Sequence, residues 1–277
     1  MDAPYFSTRP EAMTRLFTLA CFSLVCACLS GCGGTPAPEL TTPAVLVSPY
    51  QADRSQPLWA VAPLRNESGT SIADSMSLAD ELVARIQEVR GLAAVPMNRV
   101  IGAMRATGLR EINTPADARL LAQTLGVDGV IVGSITSWDP YDPPRIGLTL
   151  GLFGRGPTLA AGEPLAGGVD ARDLQRSTTE RGMTRFDDRP LSVIVSHFDA
   201  RNHEVLMSVQ RYAAGRTDYR APLGWRSYTA NMDQFGQFVA YEALNQLLDA
   251  ERLRLARVRP VAAAPTGPGL SGVTPRR

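Results

Sequence analysis

Apolar residues occur along the middle of the chain in two patterns that alternate. Short apolar runs of strand length predict strands at residues 57–64, 92–95, 127–138, 146–153, 191–198 and 204–212. Apolar residues three or four positions apart predict helices at residues 71–90, 97–107, 114–125 and 231–257. Together these elements predict one α/β (α+β) domain over residues 57–256, in which helices pack on a single mixed sheet.

Capping residues mark the ends of the predicted helices. We expect Ser71 to begin the first helix with Asp74 as its capping-box partner, and Gly91 to end it. We expect Thr114 at the N-cap of the third helix, with Pro115 at the first helical position. In the first helix, the apolar stripe expected to face the core is Ile72, Met76, Ala79, Val83 and Ile86.

The last two predicted strands are separated by a short polar segment. It contains Asp199 and Asn202, residue types typical of turns. Asn202 is a candidate for a positive φ angle, as tight hairpin turns require. We therefore predict a β-hairpin whose second strand is residues 204–212.

Three segments lack a helical or strand period. Residues 33–56 are rich in Pro, Thr, Gly and Ser, which predicts a flexible linker. Fully extended, this linker could reach roughly 80 Å. Residues 154–190 are rich in Gly, Pro and charge, which predicts a long loop insertion. Residues 257–277 are predicted to form a disordered tail.

The chain begins with a segment typical of secretion. Residues 16–29 are almost wholly apolar, but at about 1.5 Å per residue they are too short to span a hydrocarbon core of about 30 Å. This length favours a signal peptide over a permanent membrane helix. A short basic region before the apolar run is obtained if the chain starts at Met13, which is a candidate for the true start.

The apolar run ends in Leu29, Ser30, Gly31 and Cys32. These four residues resemble the bacterial lipobox, in which the cysteine is acylated and becomes the first residue of the mature chain. The resemblance implies that residues 1–31 are removed and that Cys32 carries the lipid. Gly33 is not the aspartate that retains enterobacterial lipoproteins in the inner membrane. The resemblance therefore favours an outer-membrane protein that faces the periplasm; an ordinary signal peptide without lipid is the alternative.

Composition excludes several kinds of chemistry. All four cysteines lie within the first 32 residues, so the body of the protein has no disulfide, thiolate metal site or cysteine nucleophile. All 28 basic residues are arginine, which excludes a Walker A loop and a Schiff-base lysine. The net charge of +1 gives no support for nucleic-acid binding. No cofactor is predicted.

Two groups of polar residues are candidates for chemistry. His197 and His203 bracket the predicted turn, with Asp199 and Glu204 nearby, and these residue types can hold a metal ion. Successive strand residues point to opposite faces, so solvated turn residues are the favoured interpretation and no metal site is predicted.

The second group is a pair of carboxylates. Asp139 and Asp142 could serve in general acid–base catalysis. The prolines of the sequence DPYDPP, which contains both, favour a turn instead, and no catalytic residue is predicted.

One stretch carries a family resemblance. The sequence AQTLGVDGVIVGSITSW, together with VAPLRNESGTSIADSMSLADELVARI before it, resembles the periplasmic α/β domain shared by the TolB amino-terminal domain, the curli-secretion lipoprotein CsgG and the LpoB activators of peptidoglycan synthases. The resemblance covers residues 57–153 and 191–256. It implies an envelope protein that acts by binding other proteins, and it implies no catalytic residues.

The main prediction is a non-enzymatic envelope lipoprotein that binds and assembles with, or regulates, other envelope proteins. Tyr219, Arg220 and Trp225 are candidate contact residues because their types are common at interfaces. A hydrolase of unknown type is a minor alternative.

The main alternative is a subunit of a CsgG-like oligomeric secretion pore, which would be a homo-oligomer. Residues 146–153 alternate large apolar with small or polar side chains, as in a strand of a membrane barrel. A soluble strand that packs its leucines on a helix would show the same pattern.

Overall fold

The computed structural model describes residues 41–50, 56–154, 189–218 and 220–258. Its strands are β1 (Leu58–Val61), β2 (Arg65–Asn66), β3 (Ala93–Ala94), β4 (Gly129–Asp139), β5 (Arg145–Gly154) and β6 (Ser192–Asp199). Its helices are α1 (Ser75–Glu88), α2 (Met97–Ala106), α3 (Pro115–Leu125), α4 (His203–Ala213), α5 (Ser227–Ala230) and α6 (Met232–Val258), with a 3-10 turn at Gly224–Arg226. The predicted leader with its lipobox, most of the predicted insertion and the C-terminal tail beyond residue 258 lie outside the described residues.

The strands form one mixed sheet. Its order is β3-β1-β4-β5-β6, and β2 pairs separately with β4. β3, β1 and β4 run parallel, whereas β5 is antiparallel to both β4 and β6. The predicted mixed sheet with helices packed on it is therefore confirmed.

Helices cover both faces of the sheet at its centre. Trp59 and Ala60 are neighbours in β1 and point to opposite faces, yet both are fully buried. On one face, Phe238 of α6 packs edge-on against Phe198 of β6, with ring centres 5.9 Å apart. α2 contacts β1, and α3 contacts β4 and β5. Because β1 is buried on both sides, its sequence LWAV is a continuous apolar run without alternation.

β5 buries one of its faces completely. The residues between its buried side chains are glycine or threonine, and α6 contacts the strand. The alternation seen in the sequence therefore reflects the packing of this strand in the core of the domain. The fully buried side chains of this face of β5 are Ile146, Leu148, Leu150 and Leu152.

The helix at residues 115–125 forms as its sequence predicts. Thr114 Oγ1 accepts the backbone N–H of Asp117 at 3.2 Å, and the Asp117 carboxylate accepts the backbone N–H of Thr114 at 2.9 Å. Pro115 occupies the first helical position, and Gly126 follows the helix with a φ of 66°. These contacts satisfy backbone groups that every helix leaves unpaired at its ends.

The first helix begins later than the sequence pattern predicts. Asp74 is its N-cap, not a capping-box partner of Ser71, because its Oδ1 accepts the backbone N–H groups of Met76 and Ser77 at 3.1 and 2.9 Å. Ile72 therefore precedes the helix and is 58% exposed, and Met76 is 41% exposed. Neither belongs to the core stripe, which consists of Leu78, Ala79, Leu82, Val83 and Ile86.

The predicted hairpin after β6 is wrong, because residues 204–212 form helix α4 instead of a strand. Asn202 has a φ of −76° rather than a positive value, and its Oδ1 accepts the backbone N–H of Glu204 at 2.9 Å. Asn202 is therefore an N-cap, and Glu204 adds a negative charge to the first turn, where the helix dipole favours it. The buried residues of α4 have helical spacing: Val205, Val209, Tyr212 and Ala213.

None of the described helices is long and apolar enough to cross a membrane.

Candidate functional site

Residues 44–50, called here the N-terminal segment, lie against the domain although they belong to the predicted linker. The backbone of Arg90 donates to the carbonyl of Leu46 at 2.9 Å and accepts from the N–H of Ser48 at 3.0 Å. These two bonds form a parallel β-bridge between Val47 and Arg90. The N-terminal segment is therefore paired as backbone to the folded body.

Two arginine side chains hold the same segment from α6 and from the end of α4. The Arg216 guanidinium donates to the carbonyl of Ala44 at 3.0 Å, and the Arg252 guanidinium donates to the carbonyl of Val47 at 2.7 Å. Arg216 also lies over the ring of Tyr212, 4.4 Å from its centre. This stacking favours one orientation of the Arg216 side chain.

A buried polar cluster fixes the end of the segment. Glu251 of α6 is fully buried, and its carboxylate accepts from the Tyr50 hydroxyl at 2.8 Å, from the Ser192 hydroxyl at 2.6 Å and from Arg254 Nε at 2.8 Å. We call these four residues the clasp. The Tyr50 ring also packs edge-on against Trp59, with ring centres 6.0 Å apart. The clasp joins the segment, β6 and α6 through one carboxylate.

The clasp keeps Glu251 ionised. Burial alone would raise the pKa of Glu251, but the hydrogen bonds from Arg254, Ser192 and Tyr50 outweigh burial and lower it. Burial and the Glu251 carboxylate together raise the pKa of Tyr50, so its hydroxyl remains a donor. The buried anion is thus matched by one cation and two neutral donors, as a buried charge requires.

A groove lies beside the edge strand β6, between β6, α4 and α6. Its volume is about 340 Å³. Val195 and His197 of β6 contribute to its lining, together with apolar contacts from Val205 and Phe238. Its polar lining comes from Ser196, Glu204, Ser208, Glu242 and Gln246.

The groove is acidic. Burial raises the pKa of Glu242, and this rise is partly offset by hydrogen bonds with Asn245 and Gln246 and by the charge of Arg211. The Ser196 hydroxyl donates to Gln246 Oε1, which ties β6 to α6 within the groove. Two carboxylates in a partly enclosed groove are suited to a positively charged ligand group.

The structure does not bring the two histidines together as a metal site. His197 lies in β6, with its Nδ1 3.4 Å from Ser137 Oγ, whereas His203 opens α4. Asp199 Oδ1 accepts the backbone N–H of Arg201 at 2.8 Å. In the described part of the chain, no three His, Cys, Asp or Glu residues are grouped so that they could hold a metal ion.

The carboxylate pair Asp139 and Asp142 lies at the turn between β4 and β5, as the prolines indicate. Asp139 accepts from Arg145 at 2.6 Å and from the backbone N–H of Tyr141 at 3.2 Å. The hydrogen bond from Arg145 lowers the pKa of Asp139. Asp139 therefore closes the β4–β5 hairpin, and a lowered pKa is opposite to what a general acid at neutral pH needs.

Two of the predicted contact residues, Arg220 and Trp225, precede α5, and Trp225 lies in the 3-10 turn. Trp225 is partly buried and packs on the core, and the Arg226 guanidinium lies 4.9 Å from its ring centre. Arg220 is exposed, and its backbone N–H donates to Asp218 Oδ1 at 2.9 Å. Tyr219 lies outside the described residues. A contact role for these residues stays a prediction.

Sequence reasoning missed both the clasp and the groove. Tyr50 and Glu251 are 201 positions apart, so no local pattern connects them. One signal was present: Val45, Val47 and Tyr50 are large apolar residues in a segment otherwise typical of a linker. The groove was missed because it depends on α4, which was predicted as a strand.

No family model and no curated protein sequence matches the chain. Among solved structures it is similar to the LpoB C-terminal domain from Salmonella enterica, with 15% identity and a TM-score of 0.31 over 38% of this chain and 76% of that one. It is similar to lipoprotein GNA1162 from Neisseria meningitidis, with 14% identity and a TM-score of 0.35 over 53% of this chain and 85% of that one.

The hypothetical protein CT253 from Chlamydia trachomatis is also similar, with 10% identity and a TM-score of 0.38 over 71% of this chain and 98% of that one. The LpoB domains that the sequence resembles are thus among the solved structures to which the chain is similar. No residue role is taken from these proteins.

Proposed function

We propose that this protein is a lipid-anchored lipoprotein of the bacterial cell envelope, in the outer membrane and facing the periplasm. In this proposal Cys32 carries the lipid and residues 1–31 are removed. The domain binds other envelope proteins, and assembles with them or regulates them, without catalysing a reaction.

The observation that carries the proposal is the attachment of the N-terminal segment to the domain. Ala44 is held by Arg216 about a dozen residues after Cys32, and Tyr50 is held by the buried Glu251. An anchored domain benefits from this attachment, because the contact of Arg216 with Ala44 fixes the point at which the anchoring chain leaves the folded body.

Binding rather than catalysis is supported by the roles of the polar candidates. Asp139 forms an ion pair with Arg145 in a hairpin, and Asp199 accepts a hydrogen bond from the backbone N–H of Arg201. The groove beside β6 is open and polar, which suits recognition of a side chain. The resemblance to the TolB, CsgG and LpoB domains, which implies protein binding, points the same way.

The anchor is tested by Cys32→Ser in the full chain, expressed in a Gram-negative host. We expect the variant to keep its leader, to lose the lipid mass and to be absent from the detergent-extracted outer-membrane fraction. Membrane fractionation and intact-mass spectrometry measure these outcomes. Cys28→Ser is the matched control, since it removes a thiol four positions earlier in the same leader. Unchanged processing and attachment of Cys32→Ser would disprove the anchor.

The binding role is tested by crosslinking in cells that express the anchored chain, followed by mass spectrometry. We expect the same envelope proteins to be crosslinked to the wild-type chain in independent experiments, and their recovery to fall for Cys32→Ser. A chain that crosslinks to no envelope protein while remaining anchored would contradict the binding role and leave the anchor intact.

A further inference from the structure

Among the described strands, β6 is an edge strand with one side unpaired. It pairs with β5 over eight residues in an unbroken register, and no strand of the described ranges pairs with its other side. The backbone N–H of Ala200 donates to the carbonyl of Pro144 at 3.0 Å, so the even-numbered residues of β6 face β5. Val193, Val195 and His197 therefore direct their N–H and C=O groups away from the sheet.

Most of this edge lacks the residues that usually protect a strand from pairing, since its one charged residue, Asp199, is the last of the strand. Between Ser192 and Phe198 it has no proline and no lysine, arginine, aspartate or glutamate, and its register with β5 shows no bulge. Val195 is 76% exposed and Val193 is half exposed. An unprotected edge of this length with two exposed valines is a template for another strand.

We propose that the free edge of β6 binds an extended segment of a partner protein as a further strand, with an arginine or lysine side chain of that segment placed in the groove between β6, α4 and α6. The inference rests on the proposed function and names the surface and the partner chemistry that serve it.

The geometry explains why one side chain enters the groove. Residues of an added strand alternate between the two faces of the sheet. On the face that α6 covers, the space next to β6 is the groove, which β6 lines only from Val195 to Phe198. Of the residues that the added strand places on that face, the one opposite this part of β6 therefore lies over the groove. On the opposite face, the other residues lie beside Val193 and Val195, which favour apolar neighbours.

The charge of the groove selects a basic side chain. Glu204 of α4 and Glu242 of α6 both line it, and Gln246 and Ser208 add polar groups at the same place. Arg211 acts on Glu242 electrostatically but is not among the lining residues. A guanidinium or ammonium group in the groove can therefore make charge-assisted hydrogen bonds, whereas a carboxylate would be repelled.

The same charges disfavour a second copy of this chain as the occupant. Two β6 edges paired antiparallel about a two-fold axis would set their grooves side by side on the same face. Glu204 and Glu242 of each copy would then meet the same carboxylates of the other, and like charges in such proximity oppose association. A partner with a basic extended segment avoids this repulsion.

The test uses the full chain in detergent micelles and synthetic peptides as probes. The peptides are nine-residue fluorescent sequences of alternating valine and threonine, with arginine, lysine, alanine or glutamate fixed at the centre. We expect the arginine and lysine peptides to bind roughly ten times more tightly than the alanine peptide, and the glutamate peptide more weakly still. Fluorescence polarisation measures the dissociation constants.

Variants of the chain separate the contribution of backbone pairing to peptide binding from that of the charge in the groove. Val195→Pro removes a backbone N–H that makes no bond to β5. We expect it to weaken the binding of every peptide about tenfold or more. Val195→Thr keeps that N–H and is the matched control. Glu242→Gln should remove most of the preference for arginine over alanine while leaving the alanine peptide unchanged. Circular dichroism checks the fold of each variant.

The results that overturn the inference are distinct from those that overturn the anchor. Equal binding of the arginine and glutamate peptides, or wild-type binding by a folded Val195→Pro chain, would overturn it. The inference would also be overturned if sedimentation equilibrium showed a dimer that Val195→Pro dissociates, because the edge would then pair with a second copy of the chain. Cys32→Ser changes membrane attachment without touching this surface, so either proposal can fail alone.

Discussion

The two edges of the sheet are built in opposite ways. At one edge, β3 has only two residues, the Gln56 amide donates to the carbonyl of Leu92 at 2.6 Å, and the N-terminal segment pairs with Arg90 nearby. At the other edge, β6 has eight residues and an exposed valine pair. Short length and cover are common ways to protect an edge from unwanted pairing.

The difference shows which edge of the sheet has its backbone covered within the described chain and which edge is open to a partner strand. Beside β3, the N-terminal segment pairs with Arg90, and the clasp ties that segment to the folded body through Glu251. The β6 side leaves backbone groups and carboxylates open to solvent. Four predictions test this contrast, from the largest expected effect to the smallest.

The clasp should be essential for stability. Glu251→Ala leaves Arg254, Tyr50 and Ser192 without their shared acceptor, and removal of one partner from a buried ion pair costs about 3 kcal/mol or more. Urea unfolding measures the loss. Asp249→Ala removes an exposed carboxylate from the same helix and should cost less than about 0.5 kcal/mol. Similar losses for both variants would show that the clasp is not a special site.

The Tyr50 hydroxyl should contribute separately from its ring. Tyr50→Phe keeps the contact with Trp59 but removes a hydrogen bond to a buried carboxylate, which is worth about 1.5 kcal/mol. Tyr141→Phe is the control, because Tyr141 is exposed at the β4–β5 turn. If the free energy of unfolding is the same for the two variants, the segment is held by packing alone.

Acid should weaken the clasp. The folded pKa of Glu251 is lowered, so its contribution is complete above the ordinary glutamate value of 4.5 and is lost as the pH falls below it. The free energy of unfolding of the wild type should therefore fall more steeply between about pH 5 and pH 3 than that of Glu251→Gln. Parallel curves for the two proteins would argue against an ionised Glu251 in the folded state.

The β6 edge should tolerate substitution. Val195→Lys should change the free energy of unfolding by less than about 0.5 kcal/mol, since the side chain is exposed. It should reduce light scattering on heating, because an outward lysine discourages edge-to-edge pairing. Met207→Lys, at an exposed apolar position on α4, should not reduce the light scattering. Equal protection by both lysines would mean that added charge, not the edge, is responsible.

Much of the fold is encoded in local signals. Thr114, Pro115 and Asp117 mark a helix start that needs no distant contact, and the structure forms it. The strands at 127–138 and 146–153 and the long C-terminal helix were also predicted from apolar spacing, and their boundaries shift by only one or two residues. These elements are predictable because their own residues decide them.

Other elements could not be predicted locally, because their apolar pattern fits both a strand and a helix. In α4, Val205, Met207 and Val209 alternate as in a strand, while Val205, Val209 and Tyr212 have helical spacing. Asn202 decides between them, because a residue that looks like a turn also caps a helix. The candidate site was even less accessible, since the clasp and the groove each join side chains that are far apart in sequence.

The contact between Arg216 and Ala44 also limits how far a lipid-anchored domain could reach. If Cys32 is the anchor, as we propose, about a dozen residues separate it from Ala44, and their fully extended span is roughly 40 Å. That is about half the distance estimated when the whole linker counted as free. Under this proposal the domain works close to the leaflet that holds it, and a partner embedded in a distant layer has to supply the remaining distance itself.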